Sequence, residues 1–123
     1  MKPGELKTAS VNDLVDQFCA YALEQDEALL GGEQAKANRL FWRLRDVEDE
    51  LRGREGDQRL ALLPLYDHPN AQVRVKAIKA SLAVAPERGR QALQALANSK
   101  EYPAAMEAGM SIRALDRGIF KPT

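Results

Sequence analysis

The sequence predicts an all-α protein: six helices in three antiparallel pairs. Three observations predict it. Apolar residues recur at three- and four-residue spacing along most of the chain. Residues that start and stop helices (Ser10, Asn70, Pro86, Gly53, Gly118) fall between those periodic runs. No segment alternates apolar and polar residues with the period of two that a half-buried strand needs.

Residues 1–10 read as a polar tail, and 11–123 as a single helical domain. Ser10 followed by Asp13 is a capping-box pattern that opens the first helix. Val11, Leu14, Val15, Phe18, Ala22 and Leu29 form its apolar side, and Gly31-Gly32 ends it. The second helix runs from about Glu33 to Arg52, with Ala37, Leu40, Phe41, Leu44, Val47 and Leu51 on one stripe. Gly53 is its expected stop. Asp57 is placed to cap a short leucine-rich third helix holding Leu60, Leu62, Leu63 and Leu65. His68-Pro69-Asn70 reads as a tight turn, with Asn70 capping the fourth helix and His68 bonding the backbone. Pro86 and Pro103 stand at the first positions of helices five and six. Gly118 stops the sixth, and Ile119 and Phe120 are expected to fold back on it.

The fourth helix shows how the pairs stack. Val73, Ala77, Ala80 and Val84 fall on one side, and Val75, Ile78, Leu82 and Ala85 on the other. A helix apolar on two sides is covered on two sides. Lys76 and Lys79 share the remaining outer wedge.

Residues 62–85, LLPLYDHPNAQVRVKAIKASLAVA, resemble a HEAT repeat: a leucine-rich first helix with an internal proline, a turn with Pro, then Val-Arg opening an Ala-rich second helix. The resemblance implies a short HEAT-like α-solenoid of the HEAT/armadillo kind. It makes Pro64 the kinking proline, since Pro has no N–H for the Leu60 carbonyl. It makes Arg74 a structural hydrogen-bonding residue, although His68 stands where the family commonly has an acid. The whole chain is also similar to a family of small bacterial single-domain HEAT-like proteins of unknown function. The opening helix, the LLPL-to-VR stretch and the LDRGIFKP tail carry that likeness.

Composition excludes several functions. Lys plus Arg number 18, as do Asp plus Glu, so the chain lacks the positive excess of a non-specific nucleic-acid binder. One cysteine and one histidine, Cys19 and His68, rule out an intrachain disulfide, a Cys-rich zinc site and an HExxH site. There is no phosphate loop and no G-x-S-x-G elbow. We expect no catalytic residue, no metal and no cofactor. The first ten residues contain no apolar signal core, and no apolar run is long enough to span a membrane. With a lone cysteine read as a small buried hydrophobe, this predicts a cytoplasmic protein.

The neutrality hides an asymmetry. Residues 1–62 contain 9 basic and 13 acidic residues, a balance of −4, and residues 63–123 contain 9 and 5, a balance of +4. Trp42 is the strongest oddity. It lies about 160° around the second helix from the stripe through Leu40 and Leu44, among Asn38, Arg45, Asp46 and Asp49. A Trp beside Arg is over-represented at binding hot spots. The expected function is therefore a non-catalytic protein–protein interaction module, of which a toxin-neutralising immunity-type protein is the sharper form. Trp42, Arg45, Asp49, Lys76 and Lys79 are its candidate contact residues, and a homodimer through Trp42 is one way to use them. Two alternatives remain. A HEAT-like nucleic-acid binder would use Arg74, Lys76, Lys79, Arg88, Arg90, Arg113 and Arg117. An enzyme would use Glu48 with Asp26, the acids read as facing inward; otherwise Glu48 is structural, paired with Arg74, Arg39 or Arg43.

Overall fold

The computed structural model describes residues 2–123. Seven helical segments, and no strand, occur among the described residues. The all-α expectation holds. The count differs from six because Pro3–Leu6 forms a short helix, α1, inside the stretch read as a polar tail. The chain divides after Ala61 into two compact units.

The first unit contains α1 (Pro3–Leu6), α2 (Val11–Leu30) and α3 (Gln34–Gly53). Ser10 caps α2 as expected: its hydroxyl accepts from the Asp13 N–H at 3.0 Å. The Gly31-Gly32 stop is a Schellman turn. Gly32 takes φ of +73°, Glu33 N–H donates to the Ala28 carbonyl at 2.8 Å, and Gly32 N–H to that of Leu29. This tight reversal lays α3 antiparallel along α2.

Their seam differs from the sequence stripes. On α2 it is Leu14, Phe18, Tyr21, Gln25 and Ala28, with the expected Ala22 buried beside it; on α3 it is Ala37, Leu40, Leu44, Val47 and Leu51. Both sets step by alternating threes and fours, the two-per-heptad pattern of a coiled-coil seam. Phe41 was expected on this stripe, but it lies on the seam's flank and is exposed, as is Leu29. Gln25 Nε2 donates to the Ala37 carbonyl across the seam. Arg54 Nη2 donates to the Leu6 carbonyl at 2.8 Å and ties α1 to the end of α3.

Residues Gln58–Asp67 span the boundary between the units as a 3₁₀-helix, where the sequence predicted an α-helix bent at Pro64. Pro64 lies exposed inside it. The missing N–H removes one α-type bond, and the tighter i→i+3 winding replaces the expected kink.

The second unit contains α4 (Ala71–Ser81), α5 (Pro86–Ala97) and α6 (Ala104–Asp116). Asn70 Oδ1 caps α4 by accepting from the N–H groups of Gln72 and Val73. His68 Nδ1 accepts from the Asn70 N–H at 3.0 Å, the turn role expected of it. α4 packs on both α5 and α6. Val73, Val75, Ala77, Ile78, Ala80 and Leu82 are all buried, so α4 is covered on both of its apolar sides as predicted. α4 ends at Ser81, four residues early, because Ala85 precedes Pro86 and is held out of the helical region at φ −139°, ψ 63°. Pro103 is the N-cap of α6 rather than its first residue. Gly118 closes α6 with a second Schellman turn, at φ +70° with Ile119 N–H on the Ala114 carbonyl. Phe120 folds back beneath Lys79, while Ile119 stays exposed.

Candidate functional site

The α3 seam decides what its outer surface presents. Because only the stripe through Leu40, Leu44 and Val47 is buried, the next residues around the helix are left at the surface. Trp42 is 64 % exposed and Phe41 44 %. Their rings meet edge to face, with centroids 5.2 Å apart and planes at 86°. That geometry is a favoured one for two aromatic quadrupoles. One turn on, Arg45 Nε lies 3.5 Å from Asp49 Oδ1, an exposed i,i+4 pair. Trp42, Arg45 and Asp49 thus share one face as predicted. Phe41 is the residue that the sequence reading missed, because it was assigned to the core.

Lys76 and Lys79 do not join an open surface, which corrects the reading of an outer wedge. Glu107 of α6 reaches both, with Oε2 at 3.2 Å from Lys76 Nζ and 3.3 Å from Lys79 Nζ. The side chains retain only 17 % and 33 % of their exposure. α6 covers the wedge and brings its own carboxylate. Burial opposes the charge on Glu107, but the two ammonium groups outweigh it and hold the carboxyl below its ordinary range. Arg74 is likewise taken: its Nη2 pairs with Glu101, not with Glu48. Arg90 pairs with Asp116 at 2.7 Å.

Glu48 sits seven residues after Phe41, on the same flank of the seam, and is half-buried. Burial raises its pKa; Arg45, Asp49, Arg59 and Arg52 are the charges that modify the shift. None of the ion pairs among the described residues includes it. It does not meet Asp26. The Gln25–Ala37 hydrogen bond sets the hairpin register. Asp26 is then level with Lys36, and Glu48 is a dozen residues further along, roughly 18 Å at 1.5 Å per residue. The two acids cannot act on one substrate atom together.

Arg59, which the sequence did not single out, is buried and held in a fork by Asp57, with Nε at 2.9 Å and Nη2 at 2.7 Å from its carboxylate oxygens. The fork pulls the Asp57 pKa down. Cys19 is half-buried, and burial and Asp16 push its thiol pKa up, away from the reactive thiolate. Met106 and Met110 of α6 are 59 % and 57 % exposed.

The fold and these sites are those of a small all-α domain defined by sequence family rather than by any activity. The chain belongs to the family described as domain of unknown function DUF2019, whose model matches residues 12–116. It is similar to the protein RPA1889 from Rhodopseudomonas palustris, known from a crystal structure. The two are 47 % identical, with a TM-score of 0.93 over 96 % of this chain and 98 % of that one. No curated protein matches. No helix among the described residues is long and apolar enough to cross a membrane.

Proposed function

We propose that the protein is a non-catalytic protein-binding module that engages its partner through the Trp42–Phe41 face of α3. The observation that carries this reading is an indole left about two-thirds exposed and set edge to face against a neighbouring ring. Large rigid aromatics bind at low entropic cost, and Trp and Arg lead the residues found at hot spots. Arg45 and Asp49 form the polar edge beside them. The partner is a protein; α3 itself carries five basic and four acidic residues, so its face offers charges of both signs. An immunity-type role, in which the module covers a toxin, fits such a small aromatic face edged by an ion pair.

The helical pairs serve this role as a short HEAT-like α-solenoid, a scaffold that presents rigid helix faces. A nucleic-acid reading is less well supported. Of its seven candidate cations, Arg74, Lys76, Lys79 and Arg90 are already in ion pairs. The separation of Asp26 from Glu48 speaks against the two-acid enzyme.

The test is co-purification with the product of the neighbouring reading frame, for wild type and Trp42→Ala, beside sedimentation of the protein alone. The reading expects complex with wild type and at least a tenfold weaker complex with Trp42→Ala (about 1.4 kcal/mol or more). Equal complexes would remove Trp42 as the anchor. Self-association abolished by Trp42→Ala would make the partner a second copy.

A further inference from the structure

The second unit holds a cleft of about 400 Å³ with two faces of different chemistry. Its floor is apolar, made by Ile78 of α4 and by Ala92 and Leu96 of α5. Its rim carries Arg74, Arg88, Glu101 and Asp67. A few convergent polar groups above an apolar floor of this size is the usual make-up of a small-molecule site.

The arginines are incompletely used. Arg74 gives Nη2 to Glu101, but its Nε is buried with no hydrogen-bond partner. A guanidinium fork matches a carboxylate with both arms. Here Glu101 fills half of it. Glu101 follows Ser99 in the connection between α5 and α6 and is half-exposed, so its side chain is free to swing outward. Arg88 lies over the Tyr66 ring, 5.8 Å from its centroid, and belongs to none of the ion pairs among the described residues. Asp67 on the same rim disfavours multiply charged anions such as phosphate.

We propose that this cleft binds a small organic monocarboxylate with an apolar body, whose carboxylate takes the Arg74 fork in place of Glu101 while its body covers Ile78, Ala92 and Leu96. Glu101 is then an internal competitor that occupies the site when it is empty. Arg88 supplies the second positive charge at the mouth, held in place by the Tyr66 face.

The probe is 3-phenylpropionate, with 3-phenylpropionamide as its neutral counterpart, followed by ¹H–¹⁵N NMR and calorimetry on the full chain. The carboxylate is expected to shift the Arg74 Nε–H signal and the amides of Ala92 and Leu96. The amide is expected to bind at least about tenfold more weakly. Glu101→Gln removes the competitor and should tighten binding several-fold, roughly by the fraction of time Glu101 occupies the fork. Arg88→Gln, at an exposed position, should weaken it without disturbing the backbone spectrum. Any of three results overturns the proposal: equal binding of acid and amide, no tightening in Glu101→Gln, or shifts that map away from the cleft. Arg74→Gln should abolish the carboxylate preference; if that variant fails to fold, the other two decide.

Discussion

Glu107→Gln isolates the charge that joins α4 to α6. The carboxylate lies 3.2 Å from Lys76 Nζ and 3.3 Å from Lys79 Nζ. At an effective dielectric of about 20, each contact has a gross attraction of roughly 5 kcal/mol. Desolvation of three groups removes most of that, and the partial exposure of Lys79 and Glu107 screens more. The net loss expected for Glu107→Gln at pH 7 is about 2 kcal/mol, or a fall of roughly 8 °C in Tm for a chain of this length. The pH dependence follows from the lowered pKa of Glu107. A carboxyl whose folded pKa is depressed contributes stability above its unfolded pKa, near 4.3, and loses it as pH falls through the folded value. The gap between wild type and Glu107→Gln should therefore be full at neutral pH and close as pH falls below the ordinary carboxylate range. Urea titrations at neutral pH and below that range measure it. An unchanged Tm at pH 7, or a gap independent of pH, would refute the assignment of Glu107 as the shared counter-ion.

Glu48→Gln should act in the opposite direction. The raised pKa of Glu48 means that its charged form is disfavoured in the fold, so the variant gains about 1 kcal/mol at pH 7 and the advantage fades as pH falls below the carboxylate range; chemical denaturation at the two pH values reads it. Trp42→Ala should cost no more than about 1 kcal/mol of stability, the edge-to-face contact with Phe41 being the main thing lost, so a cooperative melt close to wild type is expected. Gly89→Ala places a Cβ 2.8 Å from Leu82 Cδ2 in a buried contact, and should cost about 1 kcal/mol or more despite the better helix propensity of Ala. Leu82→Ala should relieve that clash, so the double variant is more stable than the sum of the single losses implies.

Helix positions were readable because their ends are chemically marked. Ser10, Asn70, Gly32, Pro86 and Gly118 each act through a local hydrogen bond or a fixed dihedral that needs no tertiary partner. The exposure of Trp42 was readable for a related reason: the α3 seam is regular enough to fix its opposite side. Errors arose where the partner decided. The α2 seam contains Tyr21 and Gln25, and a polar Gln buried by one bond to the Ala37 carbonyl leaves no apolar signal. The seam therefore seemed to run through Leu29, and a broad stripe on α3 took in Phe41. Lys76 and Lys79 looked solvated because Glu107 lies 31 and 28 residues away in sequence. The same distance in sequence hid the Arg74–Glu101 pair, 27 residues apart, and with it the cleft.

The point after Ala61 where the chain divides is also where its charge changes sign, since residues 61 and 62 are uncharged Ala and Leu. A zero sum near neutral pH thus conceals an anionic block followed by a cationic one. Such a molecule is expected to be retained by quaternary-amine and by sulfonate resins alike when the ionic strength is low. About 0.1 M salt, with a screening length near 10 Å, should weaken its hold on either. Its behaviour on a column is governed by block charge, not by the isoelectric point.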